Sequence, residues 1–195
     1  MKTAAVFFAD GFEDIEALSP VDYLRRAEVN VITVGVKGMP FNDTMIVTSS
    51  HKVPMIMDMS LDTYLKTYSQ NFPDLLVCPG GGLGSQNLAA CEQLLTHLEQ
   101  AWDNGRLIGA ICAAPAVVLG KTKIPDGKKW TCYPGMQTES NPAYIQNYSN
   151  KVFITDGNLT TSRGPGAAEE FAMELVKILA GQEKYQKVHD SSQQR

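Results

Sequence analysis

Three stretches of this sequence hold residue types that could do chemistry, and a cysteine stands in the first. The apolar run Leu107-Ile108-Gly109-Ala110-Ile111 ends at Cys112, and Ala113-Ala114-Pro115 then opens a helix expected from Ala114 to about Leu119. A strand-to-helix turn lifts one side chain clear of the sheet edge. The amides at the start of the following helix then point toward it and favour a thiolate, as at a nucleophile elbow with sulfur in place of a serine oxygen. A free cysteine alone is more often inert packing. The turn and a second stretch, Pro79-Gly80-Gly81-Gly82-Leu83-Gly84, favour the reactive reading. So dense a glycine loop takes positive φ or approaches something closely, and its bare amides could cradle an anion or oxyanion. The third stretch is the acidic run Asp10 to Glu16 at the end of the first apolar segment.

These stretches need elements to position them. Lys2 to Phe8, Asn30 to Gly35 and Leu75 to Cys78 read as buried strands, joined by a helix from Glu13 in which Pro20 is expected to bend or divide the pattern. Met45 to Thr48 and Lys52 to Ile56 read as a hairpin or edge excursion, and Asp58 to Phe72 as mixed with short helices. Glu92 to Asn104 is an amphipathic helix stopped by Gly105. Lys129 to Cys132 reads as a short strand. Val152 to Thr155 and Leu159 to Ser162 form a hairpin, and Ala167 to Ala180 is the last long helix, stopped by Gly181. Strands alternating with helices predict an α/β layer fold around a mainly parallel sheet, with sites beyond the carboxyl ends of the strands. All three chemical stretches lie at such ends.

The 195 residues are expected to form one domain over 1–189, with a polar tail, 190–195, that frays. A net charge of −4 with scattered Lys and Arg speaks against a nucleic-acid partner, and no apolar run reaches membrane-spanning length. Nothing at the N-terminus reads as a signal peptide, so a cytoplasmic location is expected. The four cysteines lack C-x-x-C spacing, which argues against a zinc site or a disulfide framework. Walker spacing is absent too, and with it the case for a phosphate loop.

Four separated motifs carry a resemblance. Asp10-Gly11-Phe12-Glu13-Asp14-Ile15-Glu16-Ala17, Pro79 to Leu88, Ala110 to Pro115 and Thr161-Ser162-Arg163-Gly164-Pro165-Gly166 together resemble the ThiJ/PfpI superfamily. Within it, they resemble the branch of the Parkinson-disease-associated protein deglycase and its bacterial relatives. The resemblance implies a flavodoxin-like three-layer sandwich, a homodimer, no cofactor or metal, and Cys112 as nucleophile with Glu16 as its carboxyl partner. A protonated Glu16 could donate to the thiolate, whereas an ionised one would oppose it, so its pKa must be raised. Read from pattern alone, Glu16 is an exposed helical carboxylate. The same resemblance gives Gly81 and Ala113 as amides for an oxyanion or oxidised sulfur, and Arg163 as an anion-binding residue near the site, although Arg163-Gly164-Pro165-Gly166 also reads as a plain helix entry.

Departures narrow the function. Ala113 stands where the protease-like branch has histidine, and Tyr133 stands near where the human-type member has one. Tyr133 is left as an accessory donor or a packing residue, and Cys132 as a second redox thiol or an inert buried cysteine. A Cys-His protease is disfavoured. The expected function is a cofactor-free glyoxalase or deglycase acting on methylglyoxal-type dicarbonyls or their early protein adducts. The alternatives are a peroxide-responsive stress protein or redox-regulated chaperone signalling through Cys112, and a structural protein with a retired site.

Overall fold

The structure is a computed structural model that describes residues 1–42 and 44–194. Its elements are β1 (Thr3–Ala9), α1 (Asp14–Arg26), β2 (Asn30–Lys37), β3 (Met39–Phe41), β4 (Thr44–Thr48), β5 (Pro54–Ile56), β6 (Met59–Ser60), α2 (Leu61–Tyr68) and β7 (Leu75–Cys78). They continue with α3 (Gly82–Ala89), α4 (Glu92–Asp103), β8 (Leu107–Ile111), α5 (Ala114–Val117), β9 (Phe153–Asp156), β10 (Leu159–Ser162), α6 (Ala168–Ala180) and α7 (Gln182–Ser191). Seven strands make one sheet in the order β6-β2-β1-β7-β8-β10-β9, parallel throughout except for β9.

The apolar runs read as buried strands because they serve two cores. Along β1, Ala4, Val6 and Phe8 face a core with Ala17, Val21 and Leu24 of α1 and Phe171 and Leu175 of α6. Ala5, Phe7 and Ala9 face the other, with Tyr64 of α2 and Leu94 and Leu98 of α4. Alternate side chains of a strand leave opposite faces, so a sheet covered by helices on both sides demands apolar residues at every position. This is the expected three-layer α/β sandwich.

Several expectations are corrected. Pro20 does not divide α1, which runs unbroken from Asp14 to Arg26. Pro20 forfeits one backbone donor, while the buried face of Ala17, Val21 and Leu24 continues past it. Lys129 to Cys132 is not a strand. Trp130 makes one isolated bridge to Tyr148, and with Cys132 and Tyr144 it packs into a small separate cluster. The expected hairpin is present, with β4 antiparallel to β5, and β3 joins it in a sheet of its own. Asp190 and Ser191 belong to α7, and the Gln194 N–H donates to the His189 carbonyl. Arg195 lies outside the described residues. No described helix is long and apolar enough to cross a membrane.

Candidate active site

Cys112 follows the last residue of β8, at the carboxyl edge of the sheet. Its φ is +63°, in the left-handed region that non-glycine residues rarely occupy, at a cost of roughly 1–2 kcal/mol. Both neighbouring chains hold it there. The Cys112 N–H donates to the Ser162 carbonyl at 2.8 Å, and the Cys112 carbonyl accepts from the Tyr133 N–H at 2.8 Å. The helix that follows is shorter than the spacing predicts: α5 covers Ala114–Val117 and a 3-10 turn takes up Leu119–Lys121.

Glu16 reaches the same point from α1. Helix α1 is anchored at its start, where the Glu13 carboxylate accepts from the Glu16 N–H at 2.8 Å and the Glu13 N–H donates to the Gly80 carbonyl at 3.1 Å. The glycine loop is therefore a close approach of backbones. Gly81 has φ +92°, and a Cβ there would lie 2.3 Å from the Gly11 carbonyl oxygen. At Gly80 an added Cβ would lie 2.3 Å from Glu16 Oε2 and 2.5 Å from Cys112 Cβ, so the absent side chain is the space in which carboxyl and thiol meet.

Glu16 is fully buried, and neither of its oxygens completes a well-formed hydrogen bond. Burial raises its pKa to about 7, against the pull of the Cys112 thiol and the Gly80 amide, with the Glu13 charge adding to the rise. Cys112 is partly exposed. Burial, then the charge and hydrogen bonding of Glu16, push its thiol up to about 12, while the amides of Gly81 and Ala113 pull it down. The thiol expected to be acidic is thus held protonated whenever Glu16 is ionised. With the proton on Glu16, the like charge vanishes and the carboxyl becomes a donor to sulfur, which leaves burial opposed by two amides.

The structure therefore brings Cys112, Glu16, Gly81 and Ala113 together. Arg163 lies outside that contact. It is exposed and lines an open hollow of ≈ 410 Å³ with Tyr133, Pro134, Asn150 and Gly164 to Ala167. Tyr133 is joined to Cys112 through its backbone while its side chain, 48% exposed, faces this hollow. Cys132 is buried, its Sγ donating to the Tyr133 carbonyl at 3.4 Å, and burial pushes its thiol up to about 12. That is the inert reading of Cys132. No histidine hydrogen-bonds Cys112 among the described residues: His97 pairs with Tyr64 in the core, and His51 with Asp14 at 2.6 Å. Glu13, Asp14 and His51 bring ligand-type atoms within 4.8 Å of one another at the surface. Pattern reasoning missed Gly80 and Ser162 as positioning residues, although both sit inside motifs already singled out.

A family model described as the DJ-1/PfpI family matches residues 2–178. The protein dj-1beta of Drosophila melanogaster is 40% identical over 191 residues, covering 96% of this chain and 94% of its own. A Schizosaccharomyces pombe protein called glutathione-independent glyoxalase DJ-1 is 28% identical, covering 98% of each chain. Among solved structures, an oxidized Toxoplasma gondii DJ-1 superposes with a TM-score of 0.87 at 30% identity, covering 100% of this chain and 99% of that one.

Proposed function

The chain belongs to the DJ-1/PfpI family, and from that premise we propose that it is a cofactor-free enzyme converting methylglyoxal-type dicarbonyls, or their early protein adducts, into hydroxy acids. The observation that carries this reading is the meeting of the buried Glu16 carboxyl and Cys112 at a gap cleared by Gly80, where an added Cβ would lie 2.3 Å from Glu16 Oε2 and 2.5 Å from Cys112 Cβ. With a proton on Glu16, the thiolate adds to the aldehyde carbon and the carboxyl protonates the new oxyanion, giving a hemithioacetal. The Gly81 and Ala113 amides hold the oxyanion as it forms. Glu16, now ionised, removes the proton from that carbon and returns it to the neighbouring carbonyl carbon, while the hydroxyl proton of the hemithioacetal passes to the neighbouring oxygen. One carbon is oxidised and the other reduced, so no external oxidant is needed. Water releases the resulting thioester as a 2-hydroxy acid and restores the thiol.

The glyoxalase named among the relatives supports this chemistry. Purified protein with methylglyoxal should form lactate in the absence of metal and glutathione, and Cys112→Ser should abolish the reaction while leaving the fold intact. Full activity in Cys112→Ser would reject the mechanism.

One observation favours a second reading. Two amides aimed at the sulfur suit the oxygens of an oxidised cysteine, and one structural relative is an oxidized form. In that reading Cys112 takes up peroxide oxygen as a stress signal, and mass spectrometry after mild peroxide should find the oxygen at Cys112 ahead of Cys78, Cys91 and Cys132.

The assembly proposed is a homodimer. Ile15 and Leu18 of α1, Val53 just before β5 and Ile56 within it are exposed, on segments tied together by the Ser50–Phe12 backbone bond and the His51–Asp14 pair. A cytoplasmic location goes with this reading.

A further inference from the structure

Glu13 is an acidic residue that the reaction above leaves idle. It caps α1 three residues before Glu16, a spacing that puts two side chains on one face of a helix. Hydrogen bonds fix it there. Its Oε2 accepts the Glu16 N–H at 2.8 Å, its N–H donates to the Gly80 carbonyl at 3.1 Å, and its own carbonyl accepts the Ala17 N–H at 3.1 Å. Glu13 therefore joins helix, glycine loop and buried carboxyl. Capping needs only a side-chain oxygen, which serine or threonine would supply without charge. A carboxylate in that place adds a like charge beside Glu16, and a like charge opposes ionisation.

We propose that Glu13 is the positioning residue that keeps the proton of the Cys112–Glu16 pair on the carboxyl, so that sulfur is the atom left charged. Its consequence for turnover rests on the carbonyl-enzyme reading above, whereas its effect on sulfur does not. After one proton is lost, the pair exists either as thiol with carboxylate or as thiolate with carboxyl, and it titrates as a unit. Each form carries one negative charge. Glu13 opposes more strongly the form whose charge lies nearer, which is the Glu16 carboxylate, three residues along its own helix. The thiolate form gains by difference. The same charge raises the pH at which the pair gives up its first proton, adding to the larger effect of burial on Glu16. Other groups leave this balance standing. The glycine loop brings no charge, and Cys112 is the other titratable group that bears on Glu16. Asp14 is engaged elsewhere, its Oδ2 2.6 Å from the Nδ1 of exposed His51. A protonated His51 opposes Glu13 only through solvent. Glu13 touches no substrate and moves no proton, so the reaction balances as written above.

The test is the pH profile of Cys112 alkylation by iodoacetamide, read at that residue by mass spectrometry, which reports thiolate without any carbonyl substrate. Glu13→Gln keeps an oxygen for the Glu16 N–H and removes the charge. Its rate at pH 7 should fall ~3- to 10-fold, and the midpoint of the rise in rate should move down by roughly one pH unit, the size of a like charge acting across a half-buried gap. Glu13→Asp keeps both the charge and a capping oxygen, and should return rate and midpoint toward wild type. Added salt should narrow the difference between wild type and Glu13→Gln. A purely structural cap would lose stability in the variant without moving a titration midpoint downward. A Glu13→Gln profile that superimposes on wild type, or a Glu13→Asp profile displaced as far as Glu13→Gln, would overturn the proposal. His51→Gln removes the opposing cation, so a downward move of the midpoint there would overturn it as well. Methylglyoxal assays on the same proteins separate the two readings. If none consumes methylglyoxal while alkylation follows these shifts, the role of Glu13 stands and the carbonyl reading falls. If methylglyoxal is consumed while the alkylation profiles coincide, the carbonyl reading stands and the role of Glu13 falls.

Discussion

Gly80 and Glu16 stand in a relation that only glycine permits: a Cβ at position 80 would lie 2.3 Å from Glu16 Oε2 and 2.9 Å from the Ile111 carbonyl oxygen. Backbone on one side and a buried carboxyl on the other leave nothing free to yield. Gly80→Ala should therefore lower stability by roughly 1–3 kcal/mol, the cost of overpacking a core. It should also lower turnover more than tenfold by parting carboxyl from thiol. Gly82→Ala, where a Cβ meets nothing within 4 Å, is the matched control and should leave both unchanged. Denaturant melts beside methylglyoxal assays check the pair.

The sign of Glu16's effect on sulfur decides the proton bookkeeping. An ionised carboxylate raises the thiol, whereas a protonated one stabilises the thiolate by a charge-assisted hydrogen bond worth about 1.5–3 kcal/mol. Glu16→Gln keeps a donor without the charge, and Glu16→Leu removes both. Iodoacetamide should alkylate Cys112 at pH 7 at a similar rate in wild type and Glu16→Gln, and at least ~10-fold more slowly in Glu16→Leu. Dicarbonyl turnover should fall in both, because neither variant can move protons. Faster alkylation in both would mean that the ionised carboxylate dominates the ground state.

Much of this arrangement was legible before the fold. Strands β1, β2, β7 and β8 stand out because burial on both faces leaves continuous apolar runs, and the motif order placed Cys112 and the glycine loop at one sheet edge. Glu16 was not legible from pattern. In sequence it is one of three acidic residues in four, and its burial depends on where α1 meets the glycine loop. Helix α7 went unread because Gln182–Ser191 carries one buried residue, Val188, and so shows no apolar stripe. Trp130 and Cys132 looked like a strand because they are buried, but their burial comes from Tyr144 and Tyr148 and not from a sheet.

Two buried groups titrate in opposite senses, and their contributions to stability against pH oppose each other. Burial raises Glu16 from 4.5 to about 7, so the stability it contributes is complete below pH 4.5 and is lost as pH rises to about 7. Burial lowers His97 from 6.5 to about 4, so its contribution is complete above pH 6.5 and is lost as pH falls to about 4. Each displacement corresponds to about 3 kcal/mol, and the windows overlap. Wild-type protein should accordingly show a nearly flat stability between pH 4.5 and 6.5, where one group loses what the other gains. The single variants should unmask the two slopes. Glu16→Gln should be destabilised by acid alone, whereas His97→Gln, which retains an acceptor for the Tyr64 hydroxyl, should lose stability only as pH rises toward 7. Urea melts at half-unit intervals would read both slopes. Parallel profiles for the two variants would show that neither group carries the pH dependence assigned to it.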